Sequence, residues 1–358
     1  MNRLRVGILG ATGMVGQRFV HLLGAHPWFD VVAVAASPRS AGKSYAEAVA
    51  DRWVMPAPIP SSVAGLRVVD VQSVAAVSQQ VAFVFSALDM DKQAIRDLED
   101  AYVRHECPVV SNNSAHRWTP DVPMIIPEVN PDHLDILAAQ RKRLGTRRGF
   151  VVVKPNCSIQ PYVPAFHALA DYQPSRAVVC TYQAVSGAGK TLASWPEMVD
   201  NIIPFIGGEE DKSVREPLKI WGRIENGQIV SAQKPVMSAQ CVRVPVSDGH
   251  MAAVSVSFER KPPIDVIRQR WAAFAGKPQQ LKLPSAPQPF LQYFEDETRP
   301  QTRQDRDLGN GMAVAIGRLR EDNLFDYKFI ALSHNTVRGA AGGAVLIAEL
   351  LHAEGRLA

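Results

Sequence analysis

The sequence predicts an α/β chain of two unlike domains: a doubly wound parallel sheet first, then an α+β domain with a largely antiparallel sheet. Three observations predict it. Short apolar strands alternate with helical segments over about the first 130 residues. A glycine-spaced turn joins the first strand to the first helix. From residue 150 the texture changes to long β-rich runs with few helices. The length of 358 residues exceeds what one hydrophobic core holds, about 250–300 residues, which also argues for two domains.

Taken in order, "LRVGILG" is a β-rich apolar run, and "MVGQRFVHLLGAHP" sets Val15, Phe19, Leu22 and Leu23 at helical spacing. "FDVVAVAAS" is a second strand running into the turn-rich "SPRSAGKS". Further strands follow at "QVAFVFSAL" and "CPVVSNN", with the helical "KQAIRDLEDAYVRH" between them. The later runs are "GFVVVKP", "AVVCTYQAV", "CVRVPV" and "MAAVSVSFE". Near the end, "NTVRGAAGGAVLIAELL" reads as a helix despite Gly339, Gly342 and Gly343. Each glycine costs a helix about 1 kcal/mol, so three of them predict close backbone packing against another element.

Composition bounds the function. Apolar residues make up 46% and charged residues 21%, ordinary for a globular chain with a full core. No apolar run reaches the roughly 20 residues that span a bilayer, and the start passes directly into a strand, so the expectation is a cytoplasmic protein with no membrane partner. The formal charge of +4 suits anionic small molecules and falls short of a nucleic-acid footprint. The densest basic cluster, Arg141-Lys142-Arg143 with Arg147-Arg148, reads as a solvated loop. Four cysteines without a CxxC pair, and nine histidines without matching spacing, predict reduced thiols and no metal site.

Gly10-Ala11-Thr12-Gly13-Met14-Val15-Gly16 stands where a Rossmann-type phosphate turn belongs. Glycines let the backbone approach a pyrophosphate, and the helix N-terminus offers free N–H groups to it. After the second strand an NAD site normally places an acid for the ribose hydroxyl. Here stand Ser37, Arg39, Ser40 and Lys43 instead, a set suited to a 2′-phosphate and hence to NADP.

In "VVVKPNCSIQP" a strand runs into Cys157 at the head of what reads as a helix, "SIQPYVPAFHALADY". A helix N-terminus favours a thiolate and lowers the thiol pKa. Cys107, Cys180 and Cys241 lie in or at strands and read as structural. A thiol beside a nicotinamide points to interconversion of an aldehyde and an acyl group through a thioester. His250 in "VSDGHMAAV" is the candidate acid/base, and a strand-turn-strand unit would bring it near Arg243.

In family order, "GATGMVG", "SNNSAHR", "IIPEVNP", "PNCS", "QAVSGAG", "GGEEDKSVRE", "RVPVSDGH", "RPQTRQDRDLGNGMAVAIGRLR" and "SHNTVRGAAGG" give the chain its resemblance to the aspartate-β-semialdehyde dehydrogenase family, chiefly its archaeal and fungal branch. The resemblance spans almost the whole chain. It implies a glyceraldehyde-3-phosphate dehydrogenase-like fold, with residues 1–155 and a returning C-terminal helix, 335–358, as the NADP domain, and 156–334 as the catalytic and dimerisation domain. It implies Cys157 as nucleophile, Gln183 as the group positioning the acyl carbon, and His250 as acid/base. Arg243 would grip the substrate α-carboxylate, Glu209 would meet its amino group, and Arg117 and Lys212 would bind phosphate. Ser186, Gly187 and Gly189 would form a loop near the cofactor, with Asn335 by the nicotinamide. The implied reaction is NADP-dependent reductive dephosphorylation of L-aspartyl 4-phosphate to aspartate semialdehyde, on the way to lysine, methionine and threonine, by a homodimer or homotetramer. The alternatives are a related reductase acting on another acyl phosphate or a CoA thioester, and an inactive NADP-binding sensor or scaffold. One departure stands out: Ile159 and Gln160 follow "NCS", where the family commonly has threonines.

Overall fold

The computed structural model describes residues 3–357. Six strands form the first sheet: β1 (Leu4–Leu9), β2 (Phe29–Ala36), β3 (Val68–Asp70), β4 (Phe83–Ser86), β5 (Val109–Ser111) and β6 (Val151–Val153). All pairings are parallel, in the order β3-β2-β1-β4-β5-β6. In this doubly wound order the chain reverses direction of travel between β1 and β4, and the crevice beyond those strand ends is where such sheets bind ligands. Helices 14–23 and 92–104 are among the connections, each with one buried stripe. The run "VVV" at 151–153 is therefore the edge of the first sheet and not the start of the second, and all three valines are buried.

The second domain holds β7 (Pro174–Gln183), a small hairpin of β8 (Arg223–Glu225) and β9 (Gln228–Val230), then β10 (Val236–Arg243), β11 (His250–Phe258), β12 (Leu291–Phe294), β13 (Val314–Glu321) and β14 (Tyr327–Ser333). The main sheet runs β10-β7-β11-β14-β13-β12. Its three central pairings are antiparallel and its two edge pairings parallel. One face packs on a shared core containing Phe166, Trp271 and Phe329, while the other leaves Val178 and Tyr182 partly exposed.

The stretch after Cys157 is not one long helix. A single 3-10 turn covers Cys157–Ile159, an α-helix covers only Val163–His167, and another 3-10 turn covers Ala170–Tyr172. Pro161 and Pro164 remove the N–H groups that a continuous helix would need. Ile159 is fully buried in the core and Gln160 donates to the Asn156 backbone carbonyl at 3.4 Å, so both residues that depart from the family pattern serve packing.

The glycine-rich segment is likewise two pieces, a kinked turn at Val337–Ala341 and a helix at Gly342–Ala353. That helix is buried nearly all round and shares a core with Val6, Ile8, Phe19 and Val34 of the first sheet layer. Its glycines do pack closely: a Cβ on Gly343 would come within 2.6 Å of Lys154 Cε, and one on Gly339 within 2.6 Å of Cys157 Cβ. Arg141–Arg143 end a helix, Leu137–Leu144, with Arg147 and Arg148 in the loop that follows. Among the described residues no helix is long and apolar enough to cross a membrane.

Candidate active site

Two elements meet at the site: the turn after β6, and the ends of the central strands of the second sheet. Arg243 ends β10 and pairs with Gln183, which ends β7. Met251 opposes Tyr182, which sets His250, the first residue of β11, at the level of Gln183 on the other side. Arg243 and His250 are thus not joined as a hairpin; β7 lies between them, and three neighbouring strand ends present Arg243, Gln183 and His250 in a row. Gly187, just beyond β7, packs on two of them. A Cβ there would stand 2.8 Å from an Arg243 guanidinium nitrogen and 3.0 Å from His250 Nε2.

Facing this row, Cys157 is the first residue of its turn, capped by Asn156. The Asn156 side-chain oxygen accepts from the Cys157 N–H at 2.8 Å, and its Nδ2 donates to Glu209 at 2.8 Å. Glu209, in the first turn of helix 209–220, also accepts from Gln183 at 3.2 Å and from Lys212 at 2.7 Å. Burial works against its charge, but Lys212 and these hydrogen bonds win and hold its carboxyl below the usual range. Arg117 is buried, donating to Glu216 at 2.8 Å and to the Lys154 carbonyl at 3.1 Å. Asn335 accepts from the Gly249 N–H and donates to Ser186, both at 2.8 Å, which ties the loop before His250 to the 185–189 turn containing Gly189.

The thiol is not lowered by a helix N-terminus. A single 3-10 turn offers little dipole, and burial, followed by the nearby Glu209 charge, pushes Cys157 up to about 11, against the opposing pull of Lys154, Arg117 and Arg243. His250 is fully buried, and burial together with Arg243 brings its imidazole down to about 3. Its Nδ1 accepts the Ala184 N–H at 3.1 Å, so the neutral ring carries its proton on Nε2. That Nε2 is buried with no partner among the described residues.

On the first domain, Gly10, Thr12, Gly13 and Ser37 line a groove of about 360 Å³ at the ends of β1 and β4, with Ala87, Asp89 and Arg52. Gly10 has φ +76°, and a Cβ on it would lie 2.2 Å from the Ala87 carbonyl oxygen, so the turn requires glycine. The helix that begins with Met14 and Val15 has no side-chain cap, leaving its first N–H groups free for an anion. This fits a dinucleotide phosphate. Arg39 and Lys43 are exposed on the loop beyond the groove, and Ser40 is buried, accepting from Arg52 at 3.1 Å.

Sequence reasoning missed Asn156, Glu216 and Arg52. Asn156 carried a signal, since asparagine is a preferred cap at the head of a turn. Glu216 accepts from both Arg117 and the Asn156 N–H, the latter at 2.6 Å. All four cysteines are free, and among the described residues no group of three or more His, Cys, Asp or Glu side chains could hold a metal ion. A separate cavity of about 800 Å³, lined by His133, His167, Trp221 and Lys234 among others, shares no residue with the catalytic cluster.

Residues 5–137 match a family model described as semialdehyde dehydrogenase, NAD binding domain, and residues 166–338 match semialdehyde dehydrogenase, dimerisation domain. The chain is 44% identical to an aspartate-semialdehyde dehydrogenase from Methanothermobacter thermautotrophicus, over 98% of this chain and 99% of that one. It is 42% identical to that of Schizosaccharomyces pombe, over 97% of each. The crystal structure of Candida albicans aspartate semialdehyde dehydrogenase with NADP superposes with a TM-score of 0.89 at 36% identity, covering 99% of this chain and 100% of that one.

Proposed function

The chain belongs to the aspartate-semialdehyde dehydrogenase family, and from that premise we propose that it carries out the NADP-dependent reductive dephosphorylation of L-aspartyl 4-phosphate to L-aspartate 4-semialdehyde, a step of amino-acid biosynthesis. One observation carries the assignment of roles: the row Arg243, Gln183 and His250 faces the Cys157 turn, with Glu209 bonded to both sides. Cys157 attacks the acyl carbon and phosphate leaves, giving a thioester on the sulfur. His250 Nε2–H donates to the oxygen that becomes negative as the tetrahedral species forms, and being neutral it needs no ionisation to do so. Arg243, a planar fork at a strand end, takes the substrate α-carboxylate, and Glu209 its ammonium. Arg117 and Lys212 are the cations for the leaving phosphate. Gly10, Thr12, Gly13 and the free N–H groups at Met14 and Val15 would hold the cofactor diphosphate, with Ser37, Arg39, Ser40 and Lys43 at the ribose phosphate and Ser186, Gly187, Gly189 and Asn335 towards the nicotinamide. When bound, NADPH supplies the hydride that reduces the thioester.

The proposed domain division is 1–155 with the returning segment 335–358, and 156–334; the buried packing of helix 342–353 on the first sheet layer supports it. A homodimer is the proposed assembly, joined through the partly exposed sheet face carrying Val178 and Tyr182, with a tetramer as the alternative that sedimentation would separate. We place the protein in the cytoplasm. The test is absorbance of NADPH with aspartate semialdehyde, phosphate and NADP. Cys157→Ala should abolish turnover while leaving NADP binding nearly intact. Turnover by that variant, or a CoA thioester proving the better substrate, would overturn the reading.

A further inference from the structure

Arg52 stands on the wall of the cofactor groove, and the mechanism above does not use it. Among the described residues that line the groove it is the one cation, while Arg39 and Lys43 are exposed on the loop beyond. Its guanidinium is already oriented. Nε and Nη2 donate to the Ala48 carbonyl at 3.0 and 2.8 Å, and Nη2 also donates to Ser40 Oγ at 3.1 Å. Of the N–H groups of the fork, those on Nη1 have no acceptor among the described residues. Ser40 is 4% exposed, and because its oxygen accepts from Arg52, its hydroxyl hydrogen is left to be given to another acceptor.

An arginine that only closes the end of helix Tyr45–Val49 would account for the bonds to Ala48. It would not account for the way the backbone is held. The Arg52 carbonyl accepts from Gln17 Nε2 at 2.9 Å, the same nitrogen donates to the Thr12 carbonyl at 3.1 Å, and Gln17 Oε1 accepts the Val54 N–H at 3.0 Å. Gln17 is 2% exposed and directly follows Gly16. Tyr45, fully buried, donates to the Ala11 carbonyl at 3.0 Å. The glycine turn and the arginine thus form one hydrogen-bonded frame, which places the cation relative to the turn that would hold the diphosphate. The free N–H groups of that turn serve the diphosphate itself. The adenosine ribose lies past the end of the second strand, where an NAD site carries an acid and an NADP site an arginine. Arg52 is bonded to the loop that follows β2, whereas Asp89, the acid of the groove, follows β4, two strands away in the sheet order. Deepening the cofactor reading above, we propose that Arg52 is a specificity-determining residue for NADP: its Nη1 and the Ser40 hydroxyl meet the phosphate on the ribose 2′ oxygen. Arg39 and Lys43 add charge from the exposed loop.

The test is calorimetric titration of the full-length protein with adenosine 2′,5′-bisphosphate and adenosine 5′-monophosphate, which differ only in the 2′-phosphate and need no turnover. Wild type should bind the bisphosphate more tightly. Arg52→Met should weaken the bisphosphate by about tenfold, the low end for a hydrogen bond to a charged group, and the monophosphate by less than about twofold. Arg52→Lys keeps the charge and loses the fork, so it should recover only part of the difference. Equal weakening of both ligands, or of neither, in Arg52→Met would overturn the assignment. Should that variant not fold, wild-type protein tests the same contact: phenylglyoxal labelling of Arg52, read by mass spectrometry of its peptide, must be slowed by the bisphosphate more than by the monophosphate, and equal protection sinks the proposal. A wild type that binds the two ligands alike would refute the NADP reading and this assignment with it. A wild type that prefers the bisphosphate, with that preference kept in Arg52→Met, would refute only the role of Arg52.

Discussion

Glu216→Gln tests the frame beneath the nucleophile. Glu216 is fully buried, with one carboxylate oxygen accepting from Arg117 at 2.8 Å and the other from the Asn156 N–H at 2.6 Å. A glutamine keeps the shape but can accept from only one of these donors, and its own NH₂ then meets the other. The lost charge-assisted bond is worth about 1.5–3 kcal/mol, and leaving Arg117 buried without its counter-charge brings the expected loss to about 3–5 kcal/mol. For a chain of 358 residues melting as one unit, that lowers the melting temperature by about 4–7 °C. Thermal unfolding followed by calorimetry reads it directly. Asp171→Asn is the control: its pair with Arg270, at 3.2 Å, is largely exposed, so the shift should stay under about 1 °C. Replacing Arg117 and Glu216 together by methionines should recover much of the loss, since the cost lies in the unpaired charge. A melting temperature for Glu216→Gln within about 1 °C of wild type would refute the argument that this buried pair holds the turn.

Other expectations follow from the same geometry. Gly187→Ala drives a methyl against Arg243 and His250, so kcat should fall about 10²-fold with the NADP Michaelis constant little changed; equal activity would show that the two side chains yield freely. Arg243→Lys keeps the charge and loses the fork, and should weaken aspartate semialdehyde by about 1.5–3 kcal/mol in kcat/KM while phosphate kinetics stay near wild type. Arg39→Ala should raise the Michaelis constant for NADP much more than for NAD, and equal effects would make that loop merely a basic surface. His250 gives a pH dependence of known sign. The unfolded chain takes up a proton near 6.5 that the buried ring refuses until about 3, so stability is lost as pH falls through that window. His250→Asn should flatten the drop in melting temperature between about pH 7 and pH 5, and an unchanged slope would assign it to other groups.

The parallel sheet was legible because its signal is local: apolar runs alternating with helical stripes, and a glycine turn at a fixed place. The second sheet was legible as strands but not as an order. Nothing in "RVPVSDGH" tells that β7 intervenes between Arg243 and His250, because pairing between β7 and β10 spans more than fifty residues and depends on tertiary packing. The thiol was read in the wrong direction for a similar reason. Its position in the chain suggested a helix terminus, whereas two prolines limit the helix and the surrounding fold supplies the burial that dominates its ionisation.

Helix 209–220 shows where a physical signal was present and unused. Its buried positions include 209, 213, 216, 217 and 220, the spacing of one helical face. On that stripe, where a helix ordinarily carries Leu or Val, stand Glu209, Ser213 and Glu216, while Asp211 and Arg215 fall on the solvent side and pair with each other. An acid on the stripe has to be matched by a buried donor or cation, because an unpaired carboxylate there would cost more than the helix gains by packing. The match is visible only in three dimensions: Lys212, Asn156 and Gln183 for Glu209, and Arg117 with the Asn156 N–H for Glu216. Asn156 is common to both sets, so one capping residue couples the helix that carries the acids to the turn that carries the nucleophile. A charge at a stripe position therefore requires a buried partner, and the partner decides whether that charge serves the substrate, as proposed for Glu209, or the scaffold, as Glu216 does and as Glu99 and Glu349 do on the stripes of helices 92–104 and 342–353.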